Sequence, residues 1–262
     1  MRIERGWLGS LRYGAIGSGP ALVVLAGLSP IAGELSDGMI RGTLGPVRQL
    51  AGHRRLIVLN RWQGMPPDST MASIAAAHAE ALRTGLETPV DVVGMSTGGS
   101  IAQQLAADHP DTVRRLGLIS TACRLGPTGR RLQAQVAASL RAGATRRAVR
   151  VAAGGLVPRP LRPIAAAVGW TAAHRVIRPD QVPELVATIE AEDPFDLALC
   201  RSVIQAPTLL VAGAKDRFYD VELFRQTVAL IPGARLALFP GRGHLSVSWD
   251  RRAQAVLAGF FL

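Results

Sequence analysis

Short unbroken apolar runs alternate along the chain with stretches whose apolar residues recur every three or four positions. Ala21-Leu22-Val23-Val24-Leu25-Ala26, Arg55-Leu56-Ile57-Val58-Leu59-Asn60, Val90-Asp91-Val92-Val93-Gly94-Met95, Arg115-Leu116-Gly117-Leu118-Ile119-Ser120 and Pro207-Thr208-Leu209-Leu210-Val211-Ala212-Gly213 are all strand-sized. Such runs keep little polar face for water, which predicts strands covered on both sides. Residues 1–17 alternate weakly and end at the turn signal Gly17-Ser18-Gly19-Pro20, predicting one or two short strands. Asp68-Ser69-Thr70 can cap a helix running to about Gly85, with Ile74, Ala77, Ala81 and Leu82 inward. Further helices are expected over Ile101–Ala107, Val221–Leu230 and Trp249–Phe260, with a strand at Arg235–Phe239. Alternation of this kind predicts an α/β fold with a mostly parallel, doubly covered sheet.

The rhythm stops between Thr121 and about Gln205. No buried strand is predicted there; Leu132, Val136 and Leu140 recur at helical spacing, and a Pro-rich link spans Pro158–Pro163. The chain therefore reads as a core of residues 1–120 and 206–262 carrying a helical insertion, 121–205, over one end of the sheet.

Composition narrows the possible functions. The 262 residues are 48% hydrophobic, which excludes a disordered tail and supports a sizeable core. No apolar run approaches the roughly 20 residues of a membrane-spanning helix. Met1–Trp7 has no apolar secretory segment, so a cytoplasmic location is expected. The net charge of +11 suggests nucleic acid until it is located: residues 121–180 hold 11 Arg against one acid, Asp180. Without aromatic residues interleaved among these arginines, no base-stacking surface is expected. The block reads most simply as solvated helix faces. Its functional reading is a basic lid attracting an anionic substrate or an acidic membrane surface, with Arg159 and Arg162 gripping a substrate carboxylate. Cys123 and Cys200 are too few for a disulfide framework and too isolated for a zinc site.

Gly94-Met95-Ser96-Thr97-Gly98 has the form G-x-S-x-G, between a predicted core strand and a predicted helix. A serine on so sharp a turn needs a strained backbone, and bulk two residues to either side would crowd it; Gly94 and Gly98 carry none. The Ser96 hydroxyl then projects from the carboxyl edge of the sheet, where open α/β sheets bind ligands.

A neutral hydroxyl needs a base. Of five histidines, His53, His78, His109 and His174 read as surface or packing residues. His244 lies in the small-residue loop Gly241-Arg242-Gly243-His244-Leu245-Ser246, between the last strand and the last helix, and so at the same sheet edge as Ser96. Its imidazole needs an acid to orient it. The loop Ser120–Cys123 has no carboxylate, whereas Gly213-Ala214-Lys215-Asp216-Arg217 offers Asp216. Asp220 is the fallback, though it reads more simply as a helix cap. The order Ser96, Asp216, His244 is one of the known convergent triad orders.

On these residues the chain resembles the α/β-hydrolase fold superfamily, in particular the serine-nucleophile esterases, lactonases and haloperoxidase-like enzymes with a helical cap. The resemblance runs over nearly the whole length and implies an eight-stranded sheet with a cap after the sixth strand. It also implies an oxyanion hole of two backbone N–H groups. One belongs to Thr97; by position the other belongs to Leu28, in Ala26-Gly27-Leu28, where the family often has His-Gly-x. A serine at the elbow departs from the dehalogenase and epoxide-hydrolase branches, which use aspartate.

The expected reaction is hydrolysis of a carboxylic ester or lactone with a small to medium apolar acyl group, through an acyl-enzyme on Ser96. The alternatives are a C–C bond hydrolase or cofactor-free haloperoxidase or perhydrolase of the same fold, and a non-catalytic ligand-binding homologue. Trp170, Leu161, Ile164 and Phe195 are candidates for an apolar substrate pocket, and equally for core packing. No nucleotide motif or metal-ligand spacing appears, so neither cofactor nor metal is expected. The expected partner is a small-molecule substrate, with neither nucleic acid nor an integral membrane segment, and the protein is expected to be a monomer or homodimer.

Overall fold

The computed structural model describes residues 2–157, 163, 164, 167 and 177–262. Its strands are β1 (Glu4–Leu8), β2 (Leu11–Ile16), β3 (Ala21–Leu25), β4 (Arg55–Leu59), β5 (Val90–Met95), β6 (Val113–Ile119), β7 (Thr208–Gly213) and β8 (Arg235–Phe239). They form one sheet in the order β1-β2-β4-β3-β5-β6-β7-β8. β1 and β2 pair antiparallel, as do β2 and β4, and every later pairing is parallel.

The apolar runs become strands because both faces of the sheet are covered. Val23, Leu25, Ile57, Leu59, Val92, Leu116, Leu118 and Leu210 point into one core. Their neighbours Leu22, Val24, Leu56, Val58, Val93, Ile119, Leu209 and Val211 point into the other. That is the two-residue period of a strand read on both sides at once. The helices α2 (Met71–Gly85) and α3 (Thr97–Asp108) cover the first face through Ile74, Leu82, Ile101 and Leu105. The second face is covered by α1 (Asp37–Leu44), and at the chain's end by a helix over Arg251–Phe261, through Ile40, Leu44, Leu257 and Phe261.

Asp91 is the one charge inside β5 and is wholly buried. Arg54, Arg114 and Arg115 all ion-pair with it, at 2.5, 2.8 and 2.8 Å. Arg54 and Arg115 also donate to the carbonyl of Phe261, pinning the end of the chain to the sheet.

Between β6 and β7 the chain leaves the sheet. It forms α4 (Pro127–Arg141) and α5 (Thr145–Leu156), then α6 (Val182–Glu192). These helices share a small core of Val136, Leu140, Ala148, Leu185 and Ile189, against which Leu28 packs. The chain then returns beside the segment that follows β6: the Leu197 N–H donates to the Cys123 carbonyl at 2.8 Å, and Arg124 ion-pairs with Asp196. After β7 come α7 (Val221–Leu230), β8 and α8 (Arg251–Phe261). Among the described residues no helix is long and apolar enough to cross a membrane.

Candidate active site

Ser96 stands at the junction of β5 and α3 with φ +50° and ψ −125°. This is a left-handed backbone that a side chain rarely adopts, held because its surroundings over-determine it. A Cβ on Gly94 would overlap the carbonyl oxygen of Gly98, and a Cβ on Gly98 would overlap the carbonyl oxygens of Leu25 and Ala26. The two glycines therefore let the turn close on itself and on the end of β3.

His244, on the loop after β8, meets Ser96 across the sheet edge. Its Nε2 lies 3.0 Å from Ser96 Oγ, and its Nδ1 lies 2.7 Å from Asp216 Oδ2. A carboxylate only accepts, so Nδ1 carries the hydrogen and Nε2 is left to accept from the serine hydroxyl. Asp216, on the loop after β7, is fixed in turn. Its Oδ1 accepts from the backbone N–H groups of Phe218 and Tyr219 at 2.8 and 3.3 Å. The Phe218 ring centroid sits 4.7 Å from that of the imidazole, and His244 is buried. Asp220 caps α7 instead, accepting from the Leu223 N–H at 2.8 Å. His78 is buried within α2 against the Ile74 carbonyl, 2.8 Å away, and His109 ends α3. His174 lies outside the described residues.

Above Ser96 opens a cavity of about 230 Å³. Leu28 and Thr97 both line it beside Ser96, as does His244. Its walls are mainly apolar side chains of the insertion and of the loop after β7: Leu132, Val136, Leu156, Ile189 and Phe218. Of the expected pocket residues, the two that lie among the described residues, Phe195 and Ile164, do not make these walls. Phe195 is buried in the core shared with α2 and α3, because the chain has there returned beside the segment that follows β6. Ile164 is 63% exposed, turned to solvent rather than to the cavity. Trp170 and Leu161, with Arg159 and Arg162, lie outside the described residues. Both cysteines are free thiols. Among the described residues no group of three or more His, Cys, Asp or Glu side chains is arranged to hold a metal ion.

Residues 22–258 match the alpha/beta hydrolase family. The chain belongs to that family. A match of 29% identity over 244 residues to the polyketide synthase ThaQ of Burkholderia thailandensis covers 87% of this chain but only 11% of that protein. The pimeloyl-[acyl-carrier protein] methyl ester esterase of Chromobacterium violaceum is 29% identical over 242 residues, covering 87% of this chain and 89% of that one. Among solved structures, a hydrolase from Pseudomonas aeruginosa superposes with a TM-score of 0.77 at 24% identity, covering 99% and 98% of the two chains. At that identity the likeness speaks to the fold.

Three features of this alpha/beta hydrolase had no readable signal in the sequence. Ser120, at the end of β6, is a second serine with φ +50°, and its hydroxyl donates to the His244 carbonyl at 2.7 Å. Gln133 lines the cavity from α4. Glu192, at the end of α6, is wholly buried against Thr97, the residue after Ser96. Each meets a partner from a distant part of the chain, which local spacing does not encode.

Proposed function

We propose that this chain is a serine hydrolase that cleaves a carboxylic ester or lactone of a small to medium apolar acyl group. The observation that carries the reading is the unbroken hydrogen-bonded line from Asp216 through His244 to Ser96, at 2.7 and 3.0 Å, at the floor of an apolar cavity. The family membership and the relative named as a methyl ester esterase agree with it.

In this reading Ser96 Oγ attacks the acyl carbonyl while His244 Nε2 takes its proton, and Asp216 stabilises the resulting imidazolium. Negative charge develops on the carbonyl oxygen and is met by the backbone N–H groups of Thr97 and Leu28; one such donor contributes about 3 kcal/mol in comparable sites. His244 returns the proton to the leaving alcohol. It then activates water, which releases the acid from the acyl-enzyme. The insertion acts as a cap: Leu132, Val136, Leu156 and Ile189 give the acyl chain a dry wall.

The test is hydrolysis of p-nitrophenyl esters of graded acyl length by wild type and Ser96→Ala. Activity on short to medium chains that disappears in Ser96→Ala supports the proposal. Hydrolysis undiminished in that variant would refute it. Tight ester binding with no turnover by the wild type would point to a ligand-binding homologue instead.

A further inference from the structure

Glu192 is the last residue of α6 and is wholly buried, though it comes from the insertion rather than the sheet. Glutamate is almost never so buried unless its oxygens are matched. Here four donors converge on it. Oε2 accepts from Thr97 Oγ1 at 2.7 Å and from Gln133 Nε2 at 2.9 Å. Oε1 accepts from Ser100 Oγ at 2.8 Å and from the Tyr219 hydroxyl at 3.3 Å.

These donors come from both limbs of the site. Thr97 follows the nucleophile and carries one of the two expected oxyanion donors. Tyr219 lies nearly parallel to the His244 ring, 6.1 Å between centroids, and its backbone N–H donates to Asp216. Gln133 reaches the same carboxylate from the cavity wall. Glu192 does not itself line the cavity, so it can act only through these neighbours. Behind it, Arg61 is also buried, and its Nη2 donates at 2.7 Å to the carbonyl of Ser29, the residue after Leu28. Burial pushes the Arg61 guanidinium down to about 10, opposed by the charges of Glu192 and Glu184, so it stays a cation at neutral pH. The loops bearing both oxyanion donors thus lead back to one buried cluster of charge.

We propose that Glu192 is a positioning residue for the hydrolysis: one carboxylate from the insertion holds Thr97 and Tyr219, and so keeps the oxyanion donor and the His244–Asp216 pair in register. The proposal rests on the reading of Ser96 as nucleophile. Its physical basis is tolerance. A displacement of about 1 Å in a reacting constellation can lower the rate on the order of a hundredfold, and Thr97 Oγ1 is the handle by which that turn is gripped from outside the elbow.

The test compares Glu192→Gln, Thr97→Val and Gln133→Ala on p-nitrophenyl butanoate, with active sites counted by stoichiometric release of p-nitrophenolate from diethyl p-nitrophenyl phosphate. Thr97→Val is isosteric and retains the backbone N–H, so it carries the test even where Glu192→Gln does not fold. Expected is a fall in kcat per counted site on the order of tenfold in Glu192→Gln and in Thr97→Val, with KM within about twofold of wild type. Gln133→Ala should instead act mainly on KM. Unchanged kcat per counted site in Thr97→Val, or in Glu192→Gln with only a lower melting temperature, would overturn the proposal by assigning the carboxylate to stability alone. Failure of the nucleophile reading looks different: the phosphate reagent would release no p-nitrophenolate from wild type, and Ser96→Ala would hydrolyse the ester as fast as wild type.

Discussion

The Ser120 hydroxyl donates a 2.7 Å hydrogen bond to the carbonyl oxygen of His244, joining the end of β6 to the loop that carries the imidazole. Like Ser96, Ser120 has φ +50°, so two strained serines, each directly after one of two adjacent strands, line the same cavity. Ser120→Ala keeps the backbone demand but removes the tether and leaves a buried carbonyl without it. Expected is a stability loss of about 1 kcal/mol and a fall of about fivefold in kcat, with little change in KM. Chemical denaturation and steady-state kinetics on a p-nitrophenyl ester check both.

Val136 lines the cavity from α4 and is almost fully buried. Val136→Phe should fill the space that the distal part of an acyl chain would occupy. The kcat/KM for a p-nitrophenyl octanoate should fall about tenfold or more, while the acetate stays within about twofold, since a hydrophobic pocket discriminates by ~1–3 kcal/mol per methylene. An equal loss on both esters would mean that Val136 does not face the acyl chain.

His78 should make stability depend on pH between about 4 and 6.5. Burial pushes its imidazole down to about 4; the Ile74 carbonyl opposes this and the charge of Arg61 adds to it. The folded state therefore holds the ring neutral while the unfolded chain takes a proton near 6.5. Its contribution is fully present above about pH 6.5 and is lost as pH falls toward 4. Between pH 7.5 and 5 the wild type should lose about 2 kcal/mol from this group. His78→Gln should flatten that part of the profile, as read by urea unfolding at the two pH values.

Asp91 acts at lower pH. Burial alone would raise its carboxyl, but hydrogen bonds from Arg114, Arg115 and Arg54 overcome this and hold it well below the usual carboxylate range. The stabilisation it brings is present above about pH 4, where an unfolded aspartate is ionised, and is lost as pH falls further. Asp91→Asn leaves the buried Arg54 guanidinium without its anion. It should cost about 3 kcal/mol at pH 7 and make acid unfolding below pH 4 shallower than in wild type. Equal acid profiles for the two proteins would count against this account.

The elbow was legible because its chemistry is local. Gly94, Ser96 and Gly98 lie within one turn of chain, and the apolar run before them and the helix after them can be read directly. His244 and Asp216 were legible because a parallel sheet gathers its strand-end loops at one edge, so loop position alone limits the candidates. The pocket was not legible in this way. Phe195 and Ile164 are apolar residues of the insertion, yet one faces the main core and the other faces solvent. Which way a helix of the insertion turns depends on what lies beneath it, and that is not written in its own spacing.

By itself, then, the order of apolar runs and glycines determined a doubly covered parallel sheet and the hydroxyl, imidazole and carboxylate at its rim, since strand periodicity and turn sterics act over a few residues. Only the tertiary structure decided which side chains of the insertion close over Ser96, and that a carboxylate 95 residues beyond Thr97 is buried against it. Burying Glu192 costs desolvation that must be met by four donors from three separate segments, and such a match exists only once those segments have been packed together.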